Sequence, residues 1–145
     1  MFAGVHDSLL VGYSANSHTK EVVLSLQPHH DSAPSPFTVV FQGVVAHCFP
    51  APLLPAILSQ IIPVSSEWLL TDQWPSIECG YKDCGWPGPW ANTLANATRF
   101  VQTSELKGYQ VESSYGMSGW VLAVSARLQV SPNNSVRDFP STPPA

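Results

Sequence analysis

Residues 113–130, SSYGMSGWVLAVSARLQV, impose a hairpin near the end of the folded chain. Gly116 and Gly119 supply the backbone freedom that a five-residue connection needs, and the run that follows is apolar and rich in β-branched residues. Tyr109–Ser113 and Gly119–Val130 are therefore expected to pair antiparallel. Val121–Val124 shows no alternation of apolar and polar residues, which predicts a strand covered on both faces. Trp120 opens that strand, so packing in the core is its expected role.

The same reading extends upstream. Leu9–Tyr13 and Val22–Leu26 are β-prone runs joined by the polar connector SANSHTKE, and they read as the arms of a hairpin. Val22, Leu24 and Leu26 alternate with Val23 and Ser25, so one face is the more apolar. Pro28, Pro34 and Pro36 exclude a central strand from Gln27–Pro36, which reads as a loop. Phe37–Phe41 resumes a strand, and Gly43 allows a bulge or tight turn before Val44–Phe49. Ile57–Ile62 is too short for periodicity to choose between strand and helical turn, and Pro63 closes it. Ser65 or Ser66 caps a short helix over Glu67–Gln73, with Glu67 suitably placed in the first turn. Pro75 is expected to end or kink it, and Ile77–Pro89, rich in Gly, Pro and Trp, reads as an ordered loop.

Ala91–Lys107 carries Leu94, Ala97, Val101 and Leu106 at mostly helical spacing, with Gly108 placed as a left-handed cap. This is the principal helix. The expected fold is α+β: a mainly antiparallel sheet of five or six strands with that helix packed on one face, in a single domain over 1–130. The segment 131–145 reads as a disordered tail rich in Pro and Ser.

Composition narrows the function classes. Charged residues are 11% of the chain against about 25% in ordinary proteins, which leaves few ions to keep the surface soluble. A face covered by a partner is one consequence. The net charge is −4 and the six Lys and Arg residues are scattered singly, so no phosphate-neutralising patch exists and nucleic acid is excluded. The most apolar region, Phe49–Val64, is interrupted by four prolines and cannot supply the ~20 apolar residues of a membrane span. His6, Asp7 and Ser8 break any leader-like apolar run near the start, so no signal peptide is expected. The three cysteines, Cys48, Cys79 and Cys84, then read as reduced thiols of a cytoplasmic protein, where the sequons at Asn96 and Asn133 carry no meaning.

Candidate chemistry is sparse. His6-Asp7 could be a base with its orienting carboxylate, but neighbours on a strand point to opposite faces, so their hydrogen bond needs a turn. The plainer reading has Asp7 or Ser8 capping the turn into the first strand. Zinc needs four ligands, and neither Cys79-x₄-Cys84 nor the neighbours His47-Cys48 form the close-spaced pairs it prefers, so no metal or other cofactor is expected. Cys48 sits in an apolar run, where thiols are inert. Trp86 and Trp90 in GWPGPW, with Tyr115 at the hairpin tip, are the candidate contact residues, because rigid loops that present flat rings dominate recognition surfaces. Packing of the loop over the helix is the competing role for both tryptophans.

Four segments resemble a group of small bacterial proteins of the toxin-immunity-like kind. They are His6-Asp7-Ser8-Leu9-Leu10-Val11-Gly12-Tyr13, Phe41-Gln42-Gly43-Val44-Val45-Ala46-His47, Gly85-Trp86-Pro87, and the stretch Ser113–Ala123, SSYGMSGWVLA. After Val44 that family is more acidic, whereas this chain carries the proline- and cysteine-rich Cys48–Pro63. The resemblance implies a protein partner, a toxin domain that the chain would mask. Three readings follow. The first is a non-catalytic protein-binding module, immunity-like. The second is a small-ligand binder or enzyme using a pocket of His6, Asp7 and Tyr115. The third is a structural domain that forms a homodimer through an exposed sheet edge.

Overall fold

The structure, a computed structural model, describes residues 5–28 and 35–130. The expected tail at 131–145 and most of the expected loop at 27–36 lie outside the described residues. The fold is α+β, with one antiparallel sheet and two α-helices. In chain order the elements are β1 (Ser8–Asn16), β2 (Glu21–Gln27), β3 (Phe37–Gln42), β4 (Ala46–Cys48), β5 (Ala56–Val64), α1 (Ser66–Cys84), α2 (Leu94–Thr103), β6 (Lys107–Tyr115), β7 (Gly119–Ala123) and β8 (Ser125–Val130).

The sheet has eight strands in the order β4-β7-β6-β5-β1-β2-β3-β8, a correction to the expected five or six. Two causes raise the number. Ile57–Ile62 lies within a full strand, β5, and Pro63 sits inside that strand instead of closing it. The run Gly119–Val130 also breaks at Val124, so its halves β7 and β8 pair with different neighbours. β3 and β4 are related in the same way across Gly43, whose φ of 65° lies in the left-handed region. There Val44 N–H donates to Lys20 O (2.9 Å), Val45 N–H to Leu122 O (3.0 Å) and Val124 N–H to Gln42 O (2.9 Å). The two kinked runs pair along their whole length, from Phe37↔Val130 to Cys48↔Trp120. β4 and β8 are the ends of the strand order, yet β4 continues β3 and β8 continues β7. The ladder thus returns on itself as a barrel.

Side chains fill the barrel. Leu10, Leu24, Phe41, Leu58, Val111 and Val121 come from six different strands and meet in one buried cluster. Tyr109 lies edge-on to Phe41 with ring centroids 5.3 Å apart. Its hydroxyl shares a hydrogen bond with the backbone of Ala126; burial raises its pKa, and that bond partly opposes the rise. The second cluster lies on the other face of β7 and β4, where Trp120, Leu122 and Ala46 meet Leu69, Leu70 and Ile77 of α1 and Ala97 and Val101 of α2. Alternate residues of β7 thus enter different cores, which gives the expected two-sided burial over Val121–Ala123, but not at Val124, which lies at the break and is exposed.

The helices correct two further expectations. α1 starts as its sequence predicts, with Ser65 Oγ accepting the Trp68 N–H (3.3 Å) and Glu67 in the first turn. It does not end at Pro75. It runs to Cys84 through most of the expected loop Ile77–Pro89 and stops at Gly85, whose N–H donates to Tyr81 O (2.8 Å). Pro75 is exposed, so water can satisfy the Thr71 carbonyl that lacks its helical partner. α2 is shorter than the expected Ala91–Lys107. A 3₁₀ turn over Pro89–Ala91 and a Thr93 cap precede it. At its end Glu105, with φ 54°, takes the left-handed position, while Glu105 N–H bonds Gln102 O (3.2 Å) and Leu106 N–H bonds Val101 O (3.0 Å). Gly108 is no cap; it lies in β6 directly beneath Leu69.

Two glycine substitutions test the barrel closure. A methyl group at Gly119 would collide with the Cys48 carbonyl and the Phe49 ring, whereas one at Gly12 would meet nothing within 4 Å. Gly119→Ala is expected to lose about 1–3 kcal/mol in urea unfolding, and Gly12→Ala less than about 0.5 kcal/mol. Equal losses would show that the β4–β7 contact is not tight.

Candidate functional site

Beyond Gly43 the sheet opens. β2 and β3 pair as far as Glu21↔Gln42, the Val44–Lys20 bond adds one more link, and β4 then follows β7 away from the β1–β2 hairpin. Between the hairpin end and β4 lies a cleft of about 420 Å³. One wall is the turn 15–17 with Lys20, Glu21 and Val22; the other is Val44–His47, and Trp86 and Pro87 form the lip. Among the described residues β4 pairs only with β7, so its remaining edge borders this cleft.

Local chemistry stiffens both walls. Asn16 Oδ1 accepts the N–H groups of His18 (2.8 Å) and Thr19 (3.1 Å), bracing the hairpin turn. Glu21 Oε2 accepts a hydrogen bond from Gln42 Nε2 (3.3 Å) across the last rung of β2 and β3. Trp86 is half-buried. Its ring lies where a Cβ on Gly80 would stand, 2.6 Å from Cε3, and its centroid is 6.0 Å from that of Trp120. A bare turn of α1 and a core indole therefore hold the ring at the cleft.

His47 is half-buried, with its ring 6.2 Å from that of Phe49. Desolvation lowers its pKa from the ordinary 6.5, so the imidazole is held neutral. Among the described residues no hydrogen bond reaches it, which leaves one ring donor and one ring acceptor for an incoming group. The next residue, Cys48, has its thiol pKa raised by burial and stays protonated. His47 lies opposite Val121, which enters the barrel core, and Cys48 lies opposite Trp120, which enters the helical one. The two neighbours thus belong to opposite faces of β4. Among the described residues no three His, Cys, Asp or Glu side chains come together as a metal site.

The residues singled out from the sequence occupy four separate places. Trp86 joins the cleft, but Trp90 lies in a second hollow of about 460 Å³, stacked on Phe100 at 4.8 Å and 14°. The polar groups of that hollow engage one another: Asn96 Nδ2 donates to Asn92 Oδ1 (2.8 Å) and Arg99 Nη1 to Asn96 Oδ1 (3.4 Å). His6 and Asp7 form the turn before β1, where Asp7 has φ 59°. That turn brings His6 Nε2 to 3.3 Å from Asp7 Oδ2, while Nδ1 lies 3.0 Å from Ser59 O. Tyr115, 58% exposed, stands at the end of β6 opposite Ile57. Since Asp7 N–H bonds Leu58 O, β5 separates His6 and Asp7 from Tyr115, and among the described residues no hydrogen bond joins them.

His47, Lys20 and Glu21 were not singled out as contacts from the sequence. Nothing local marks them, because the cleft is assembled from segments 15–22, 44–47 and 86–87. Searches of protein-family models, curated proteins and solved structures found no match.

The His47 environment predicts a pH dependence. As pH falls below 6.5, the unfolded chain takes up a proton that the fold resists, so stability declines with acidification. The melting temperature is expected to drop between about pH 7.5 and pH 5, and His47→Gln should remove part of that drop. An unchanged slope in the variant would show that His47 is not the group responsible.

Proposed function

We propose that the chain is a non-catalytic protein-binding module and that the cleft beside β4 is its docking surface. The observation that carries this reading is Trp86: a large ring, anchored on Gly80 and Trp120, set at the lip of an open cleft. Aromatic anchors in such settings supply most of the energy of protein interfaces. The apolar Val44–Ala46 wall and the low charge of the chain support the same conclusion. The chemistry of the cleft fits binding better than bond-breaking. The nearest thiol, Cys48, lies on the opposite face of β4 from the His47 imidazole, and burial raises its pKa, so the two do not form a nucleophile and base pair. The filled barrel leaves recognition to the outer surface. The resemblance to toxin-immunity-like proteins names one class of partner, a toxin domain.

Affinity capture from a lysate of the source organism, followed by binding of the purified captured protein, tests the reading. Trp86→Ala and Lys20→Glu should each weaken that binding roughly tenfold or more, while Arg99→Glu in the second hollow leaves it unchanged. Lys20 is exposed, so its variant keeps the test informative if Trp86→Ala unfolds. Retention that is indifferent to both cleft variants would overturn the proposal.

A further inference from the structure

We infer that the cleft receives an extended peptide segment of its partner, which adds as a strand to the open edge of β4. This rests on the protein-binding reading and specifies its mode. Three observations carry it. Among the described residues β4 ends the strand order and pairs only with β7, so its second edge faces the cleft with no described strand beside it. That edge offers backbone N–H and C=O groups to any chain laid along it.

The two sides of the edge also differ in chemistry. Ala46, on the face of β4 turned toward the helices, neighbours the lip residues Trp86 and Pro87. His47, on the opposite face, presents an imidazole with no hydrogen bond among the described residues. A strand meets both environments because its side chains alternate with period two. One set would rest on the indole, and the other would bond the imidazole.

The third observation is charge. Lys20 forms no ion pair among the described residues and is the one cation of the cleft lining, while the neighbouring Glu21 carboxylate is held on the β3 side, where its Oε2 accepts a hydrogen bond from Gln42 Nε2. The cleft therefore has one available cation. The fitting occupant is a short strand matching the reach of Ala46–Cys48, with alternating apolar residues and an acidic residue that meets Lys20.

The test uses the full chain and a display library of random linear twelve-residue peptides. Enriched peptides should share an acidic residue flanked by alternating apolar ones. A synthetic copy should slow amide hydrogen exchange within 46–48, beyond the Val44 and Val45 amides that the fold already bonds, about tenfold or more. Methylating alternate backbone nitrogens of that peptide should abolish binding in one register and leave it in the other. Lys20→Glu should weaken the acidic peptide and favour one with lysine at that place. Peptides that bind without protecting 46–48, or that tolerate methylation at every position, would overturn strand addition while leaving the protein-binding reading intact. Failure to enrich any peptide would overturn it too, and the capture experiment would then decide the broader reading independently.

Discussion

The architecture depends on the antiparallel pairing of two broken strands, Phe37–Cys48 and Gly119–Val130. Each bends in mid-course, one at Gly43 and the other at Val124, and the bends face each other. A Cβ on Gly43 would overlap the Val124 side chain, so glycine is required there for contact as well as for φ. Because the bends coincide, hydrogen bonding continues through them, and β7 reaches β6 while β8 stays with β3. An unbent pair would give an open sheet with exposed edges. Here the ladder returns to its start, and the interior is shared among all the strand runs.

The same bend creates both the second core and the cleft. By turning β4 and β7 away from the hairpin, it presents Trp120, Leu122 and Ala46 to α1 and α2. Fully burying one such aliphatic side chain is worth about 1.5–3 kcal/mol, enough for a few of them to fix the helical layer against the barrel. The departure of β4 from β2 also leaves a strand edge without a neighbour. Removing the cleft by extending the β2–β3 ladder would straighten the run that carries β4 to the helices, so the open edge is a geometric consequence of the closure.

Local features of the fold were legible wherever neighbouring residues alone decide them. The alternation of Val22, Leu24 and Leu26, the Ser65 cap and the two-sided burial of Val121–Ala123 all follow from sequence neighbours. Misreadings arose where tertiary placement overrode a local rule. Pro75 continues α1 because its side of the helix faces water, and Glu105 takes the left-handed position that the sequence assigns to Gly108. Gly108 is needed elsewhere, since Leu69 and Val64 close over it. The break at Val124 has no local signal: a run of apolar residues looks the same whether it serves one ladder or two.

The site was legible to a smaller degree, for the same reason. Trp86 stands out because it lies in a Gly- and Pro-rich segment, but Trp90, four residues later, sits in the 3₁₀ turn Pro89–Ala91 and lines a different hollow. His47 attracts notice only beside Cys48, as a prospective ligand or base. Strand alternation separates those two side chains, and what remains is a neutral imidazole beside an unpaired backbone edge. On the proposed reading such a group, whose charged form is disfavoured by the burial that shapes its cleft, would bond a polar group on an extended chain. On the proposed binding reading, the edge and the imidazole would be complementary parts of one surface, both produced by the bend that closes the barrel.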